Sequence, residues 1–343
     1  MVLNETLRAR LRSAPALGGA PLGNLFRPIS DRSALALVRY AHAAGARYFD
    51  TAPHYGHGLS ERRLGDGLRE FARDDYVLST KVGRVLEPSD DAPSAQHGYA
   101  DTLPFVQRYD YTAQGVRRSL ADSLQRLGLA RIDLAYVHDI DRDTHGDAHS
   151  RRLADALDGG LPALAALKAE GAIRGYGLGV NDVAICREVL RHADLDVILL
   201  AGRYTLADQS ALPELLPECQ RRGVAIVLGG PFNSGILATG THPRDGSTPY
   251  FDYAPAPAAI VDRVAAIERV CTEFAVPLTA AALQFPLGHP AVVCVLPGAR
   301  SAAEFDENLR LARYPIPAAF WHTLRDRKLI DERAPLPAES RRS

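Results

Sequence analysis

Four side chains of complementary chemistry fall at or just beyond the ends of three apolar runs: Asp50, Tyr55, Lys81 and His138. A tyrosine, with an ordinary pKa of about 10, is a poor base near neutrality unless something stabilises its phenolate. A neighbouring lysine ammonium would do that, and an aspartate would hold the lysine charged and in place. A histidine would orient a substrate oxygen and share its hydrogen bond. Lysine usage sharpens the point. Of 40 Lys and Arg residues only Lys81, Lys168 and Lys328 are lysines, yet one of them closes an apolar run. A compact ammonium does something there that a guanidinium cannot. Taken singly each residue has an ordinary reading: Asp50 as a strand-end cap, Tyr55 as a loop tyrosine, His138 as a satisfied core histidine. Their joint placement is what speaks for proton transfer.

The elements that would position them alternate along the chain. Runs at 47–51, 76–81, 132–138, 173–180, 196–201, 224–228 and 292–296 are mostly continuous Val, Ile, Leu and Ala, as parallel strands buried on both faces should be. An eighth, weaker strand is the Gly-rich 17–24. Between the runs lie amphipathic helical patterns at 31–44, 60–71, 112–127, 182–192, 209–222 and 258–274. Ser60, Thr112 and Asp182 stand as caps, and Gly45, Gly128, Gly171 and Gly223 as stops. No composition break divides residues 1–343, so one α/β domain is expected, with a Pro-rich tail from about 314 and a helix near 318–330. Periodicity alone does not separate a doubly wound sheet from a barrel. Strand number and the missing dinucleotide fingerprint favour the (β/α)8 TIM barrel. In that fold the four residues meet at one mouth, and the long connections 85–110, 139–159 and 238–257, each following a strand, rise on the same face.

Composition excludes other classes. The 343 residues are 46% hydrophobic with a formal net charge of −1 and a pI of about 6.8, without a basic stripe, so no nucleic acid partner is expected. Cys186, Cys219, Cys271 and Cys294 are scattered and have no metal-type spacing. No signal core or membrane-length apolar stretch occurs, and a cytoplasmic location with no membrane contact is expected. Gly177-Leu178-Gly179 ends with Asp182 rather than the third glycine of a dinucleotide loop. Walker A, H-E-x-x-H and G-x-S-x-G motifs are missing. The Asp- and His-rich 138–149 has Thr144 and Ser150 where a calcium loop needs Gly and Glu, and His54 and His57 lack further ligands of suitable spacing; no metal is expected.

The run Phe49-Asp50-Thr51-Ala52-Pro53-His54-Tyr55-Gly56, continuing through Ser60-Glu61 to Leu64-Gly65, resembles the signature of the aldo-keto reductase superfamily. Ser79-Thr80-Lys81-Val82-Gly83 and Leu134-Ala135-Tyr136-Val137-His138 match its next two blocks in order and spacing. The resemblance covers essentially the whole chain. It implies a (β/α)8 barrel, an NAD(P)-dependent oxidoreductase, Tyr55 as proton donor or acceptor, and Asp50, Lys81 and His138 as the rest of a tetrad. It further implies that Asn181 holds the nicotinamide carboxamide and that Gly230-Pro231-Phe232-Asn233-Ser234-Gly235 wraps the pyrophosphate. The block Pro297-Gly298-Ala299-Arg300 through Glu304 to Asn308 corresponds to the adenine end. Glu304 stands where members that prefer the phosphorylated cofactor carry a basic residue, which favours NAD over NADP. The chain departs from many members in having Gly229 where an aromatic residue stacks on the nicotinamide, and Gly202-Arg203-Tyr204 at a strand end that often bears glutamine. Tyr204 and Phe232 are the candidates to supply that face.

Within the superfamily the chain most resembles sugar 1-dehydrogenases of the L-fucose or D-threo-aldose type. The resemblance rests on Pro21-Leu22-Gly23-Asn24-Leu25, on His54 through Ser60, and on Arg333-Ala334-Pro335-Leu336-Pro337. It implies oxidation of an aldose C1 hemiacetal to a lactone. Pyridoxal 4-dehydrogenase and general aldehyde reductase are the nearest alternatives. A reading from another class is a non-catalytic subunit that senses nicotinamide redox state; the intact tetrad argues against it.

Overall fold

The computed structural model describes residues 3–13, 15–243 and 246–337. Eight parallel strands form one sheet: β1 Ala16–Gly18, β2 Tyr48–Asp50, β3 Val77–Val82, β4 Leu134–His138, β5 Gly175–Val180, β6 Val197–Ala201, β7 Ala225–Gly229 and β8 Val292–Leu296. Their order in the sheet is their order in the chain. That settles what periodicity left open. A doubly wound sheet reverses its strand order at a switch point, whereas successive right-handed crossovers without reversal wind one way only. Singly wound order is that of the (β/α)8 barrel. A parallel bridge from Gly18, the last residue of β1, to Gly298, two residues past β8, brings the end of the series back to its start.

Two compact units make up the chain. The first runs to residue 199 and includes 298–306. Its strands pair with Asp50 opposite Ser79, Lys81 opposite Tyr136 and His138 opposite Gly179. Every residue of β3 and β4 is buried; β4 reads as an apolar run up to His138, while β3 carries Ser79, Thr80 and Lys81 among its apolar residues. The helix Ala113–Leu127 starts where the Thr112 hydroxyl accepts the Gly115 amide at 3.1 Å, and it stops at Gly128 in the left-handed region. Asp182 caps Val183–His192 in the same way. The second unit holds 200–297 and the segment from 307 onward. There β7 and β8 pair, and Phe274, Phe285, Phe320 and Trp321 pack together.

Several expectations are corrected. Ser60 is not a cap: the helix Leu59–Leu68 starts after Gly58, and the Ser60 hydroxyl instead donates to Gly19 O at 2.7 Å and bonds Thr51 Oγ1 at 2.8 Å. Only Ala16–Gly18 of 17–24 and its flank is strand, followed by a 3-10 turn at Ala20–Gly23. The 209–222 pattern gives helix only over Leu215–Arg222, and the tail helix ends at Asp326. The 85–110 connection contains an antiparallel hairpin, Arg84–Pro88 with Phe105–Tyr109, whose long tip gives no short-turn signal. Short helices Arg142–His145 and His149–Asp155 occupy 139–159. Helices Glu5–Ser13, Leu161–Ala169, Leu278–Gln284 and Ala302–Ala312 were not anticipated. Among the described residues no single helix is long and apolar enough to cross a membrane.

Candidate active site

Parallel strands end on the same edge, so the last residues of β2, β3 and β4 become neighbours. Asp50 faces Ser79 in register, and Ser79 Oγ donates to its Oδ1 at 2.6 Å. Lys81, two residues further along β3, points to the same side as Ser79. Its Nζ lies 2.7 Å from Asp50 Oδ2 and 3.0 Å from Thr51 O. Lys81 and Asp50 are 1% and 2% exposed, so this pair is buried and its charges cannot be left to water. Burial pushes the Asp50 carboxyl up, while the Lys81 ammonium and the Ser79 hydroxyl pull it down.

Tyr55 stands on the turn after β2, its amide bonded to Ala52 O at 3.1 Å. Lys81 Nζ is 4.5 Å from the centre of its ring. The backbone of Tyr55 is pressed by Gly23, where a Cβ would come within 2.5 Å of the Tyr55 carbonyl carbon; only glycine permits that approach. His138 closes β4 with its ring at 6.1 Å from that of Tyr55 and nearly perpendicular. Burial, reinforced by the positive charges of Arg84 and Lys81, holds the His138 imidazole well below its ordinary pKa, so it is neutral near pH 7. All four tetrad residues are therefore together.

Around them is a second set, of which only His54, flanking the tyrosine turn, drew notice in the sequence. Tyr99 is buried, stacks toward Tyr55 at 6.0 Å and meets His54 edge-on at 5.3 Å. His54 also lies 5.7 Å from His138 and 5.4 Å from the exposed His97. Arg84 is 5% exposed; its guanidinium donates to Gln107 Oε1 at 3.0 Å, Tyr109 OH at 3.3 Å and Asp139 Oδ2 at 2.5 Å. The Gln107 amide nitrogen faces His54 Nδ1 at 2.8 Å. The only hint in sequence was adjacency: Arg84 ends the Lys81-Val82-Gly83 block and Asp139 follows His138. Among the described residues no group of three or more His, Cys, Asp or Glu side chains is placed so that it could hold a metal ion.

The anticipated cofactor residues are placed as follows. In the first unit Asn181 directly follows β5. Arg300 donates from Nη2 to Leu25 O at 3.3 Å, and its Nε is buried without a partner. Glu304 sits in the first turn of Ala302–Ala312: its amide bonds Ser301 Oγ at 3.1 Å and its carboxylate accepts the Arg300 amide at 2.8 Å. Gly298 is exposed. In the second unit Pro297 and Pro231 are buried and Asn308 is half-buried on its helix. Gly230, Asn233, Ser234 and Gly235 all have positive φ, and the Asn233 and Gly235 amides bond Gly230 O and Phe232 O within the loop, each at 3.0 Å. The side chains of this loop are otherwise engaged: Asn233 bonds Thr205 Oγ1 at 2.5 Å and Gly202 O at 3.0 Å, and Ser234 Oγ accepts the Tyr253 amide at 2.9 Å. Tyr204 is fully buried against Phe285 and His289, so the half-buried Phe232 is the better of the two candidates for a stacking face. The buried, unpartnered Arg300 Nε fits a phosphate-bearing cofactor.

Fold and strand-end cluster together place the chain among barrel enzymes. It belongs to the aldo/keto reductase family, whose profile matches residues 16–327. It is 47% identical to pyridoxal 4-dehydrogenase of Microbacterium luteolum over 93% of this chain and 94% of that protein. It is 44% identical to D-threo-aldose 1-dehydrogenase of a Pseudomonas species over 92% and 94%. A solved aldo-keto reductase of Bacillus halodurans, 24% identical, superposes with a TM-score of 0.69 and 97% coverage of both chains, which shows the shared (β/α)8 fold. The chain is thus an oxidoreductase that acts on a small molecule with a nicotinamide cofactor, and the sensing-subunit alternative gives way to an enzyme.

Proposed function

We propose that the protein oxidises the C1 hemiacetal hydroxyl of an aldose, of the L-fucose or D-threo-aldose kind, to a lactone. The observation that carries this reading is Lys81, its ammonium 2.7 Å from Asp50 and 4.5 Å from the centre of the Tyr55 ring. The anomeric hydroxyl lies between Tyr55 and His138. Neutral His138 donates a hydrogen bond to the substrate oxygen, and Tyr55 takes the hydroxyl proton. Lys81 stabilises the negative charge that Tyr55 carries before the proton arrives, and Asp50 keeps Lys81 fixed. When bound, the nicotinamide accepts the hydride that leaves C1. Oxygen then keeps the electron pair of its lost O–H bond as the second bond of the lactone carbonyl.

Asn181 would hold the carboxamide, the 230–235 backbone the pyrophosphate, and Pro297, Gly298, Arg300 and Asn308 the adenine end. Glu304 places a carboxylate at a helix N-terminus, where a 2′-phosphate would otherwise find favourable charge. NAD is therefore the preferred cofactor. One domain carries all these roles.

A second substrate reading is favoured by the 47% identity to pyridoxal 4-dehydrogenase. Pyridoxal carries a hydroxymethyl group beside its aldehyde and closes to a cyclic hemiacetal, so the same proton handling applies. The ring-rich flank of Tyr99, His54 and His97 suits a flat heterocycle as well as a sugar face. A panel of L-fucose, D-arabinose, L-galactose and pyridoxal, each with NAD⁺ and with NADP⁺, tests the proposal by absorbance of the reduced cofactor. Turnover of at least one sugar with lactone as product is expected. Turnover of pyridoxal alone replaces the sugar reading, and absence of turnover on all four refutes both.

A further inference from the structure

Asp139 directly follows the strand-end His138. Its φ is +42°, in the left-handed region that aspartate and asparagine enter more readily than most residues. This backbone turn brings its carboxylate back onto the side chain before it: Oδ2 lies 3.3 Å from His138 Nε2. The same oxygen takes the Arg84 guanidinium at 2.5 Å. The backbone that carries the turn is held from both sides. Tyr111 OH bonds His138 O at 2.7 Å and Asp139 O at 3.1 Å, and His145 Nε2 lies 2.9 Å from Asp139 O. The other ring nitrogen of His138, Nδ1, is buried without a partner.

We infer that the Arg84–Asp139 pair is a positioning device that fixes the proton of neutral His138 on Nε2. The inference rests on the hydrogen-bonding role proposed above for His138: at 3.3 Å the carboxylate biases the proton to Nε2 while leaving that N–H to be shared with the substrate oxygen. A neutral imidazole carries one proton, and a carboxylate beside Nε2 draws it there, because N–H donates toward negative charge and a bare lone pair is repelled by it. A lone carboxylate would also favour charging the ring. The guanidinium on the same oxygen offsets that, with Lys81 adding to it from the other side, so the ring stays neutral. The groups facing His138 are thus Asp139, Arg84, Lys81, His54 and Tyr55, with Asp141 acting on Asp139. The pair selects the tautomer without charging it. Arg84 joins this device to the mouth of the site, since the same guanidinium grips Gln107, and Gln107 in turn faces His54.

Asp139→Asn is the clean perturbation: it removes the charge, keeps the shape, and asparagine tolerates the same φ. Two-bond proton–nitrogen correlation spectra of protein labelled with ¹⁵N-histidine read the tautomer directly. The wild type is expected to show His138 with its proton on Nε2 from pH 6 to 8. Asp139→Asn is expected to shift the population toward Nδ1–H and to lower kcat/KM about tenfold, short of the ~10² to 10⁴ lost with a whole acid–base group, while the cofactor KM is unchanged. Arg84→Gln is expected to move the acid limb of the kcat/KM profile up, as His138 then protonates at higher pH beside Asp139. An unaltered Nε2–H tautomer in Asp139→Asn overturns the inference. The His138→Asn variant examines the underlying role by itself. Wild-type turnover there, with a shifted tautomer in Asp139→Asn, would remove His138 from the reaction while leaving the tautomer control standing.

Discussion

Replacing Lys81 by methionine strands the carboxylate of Asp50, which is 2% exposed and keeps only the Ser79 hydroxyl at 2.6 Å. Removing one partner of a buried ion pair typically costs about 3 to 5 kcal/mol, because the remaining charge is uncompensated. The chain has an escape, which sets a ceiling. Asp50 can take a proton, and from an unfolded-state pKa of about 3.9 this costs ~4 kcal/mol at pH 7 and ~2 kcal/mol at pH 5.5. The penalty should therefore shrink as the solution is acidified, by up to ~1.4 kcal/mol per pH unit. The comparison that isolates it is Lys81→Met against Lys81→Met/Asp50→Asn, since both lack the ammonium and its effect on His138 cancels. Urea unfolding of the two at pH 5.5, 6.25 and 7 should show the double variant more stable, by a margin that narrows toward low pH. A margin of zero, or one that widens on acidification, would refute the claim that Asp50 depends on the Lys81 charge.

Tyr55→Phe should lower kcat by ~10² to 10⁴ while leaving NAD⁺ affinity near wild type by fluorescence titration; turnover within a few-fold of wild type would remove the phenol from the mechanism. Glu304→Lys should raise the NADP⁺ to NAD⁺ ratio of kcat/KM about tenfold, equivalent to ~1.4 kcal/mol, and an unchanged ratio would dissociate Glu304 from cofactor choice. Burial holds both His54 and His138 well below the free imidazole value. Below about pH 6.5 the unfolded chain therefore binds protons that the folded chain refuses. Stability present above that pH should fall on acidification by up to ~1.4 kcal/mol per pH unit for each of the two. A flat urea midpoint between pH 7.5 and 5.5 would contradict this.

Which features could be read in the sequence follows from where their causes lie. Strands β4 and β8 were visible because burial on both faces writes a continuous apolar run, and the Thr112 and Asp182 caps because a short polar side chain bonds an amide three residues away. The Arg84–Pro88 hairpin was hidden because its partner strand, Phe105–Tyr109, lies beyond a long tip. Asp139 and Arg84 were missed for a deeper reason: in sequence they are 55 residues apart, and only the fold brings the Arg84 guanidinium onto the carboxylate beside His138. Ser60 misled because a serine next to an apolar rhythm has the same signature whether it caps its own helix or, as here, bonds Thr51 and Gly19.

Strand β5 joins these levels. Its Gly-Tyr-Gly-Leu-Gly pattern weakens a strand by itself, since glycine has most conformational freedom to lose. A Cβ at Gly177 would come within 1.6 Å of Val197 O, so β6 occupies the space beside it. At Gly179, opposite His138, a Cβ would come within 3.3 Å of Lys81 Cδ and Cε and 3.2 Å of Tyr136 Cβ. The missing side chain leaves room for the lysine stem. The same tightness argues against an arginine at 81 in a chain otherwise built with arginine: a planar guanidinium needs more width at the head than an ammonium held by Asp50 Oδ2 and Thr51 O. The local cost of Gly179 in β5 and the retention of a rare lysine in β3 thus have one cause, the fitting of a compact positive charge beside a phenol.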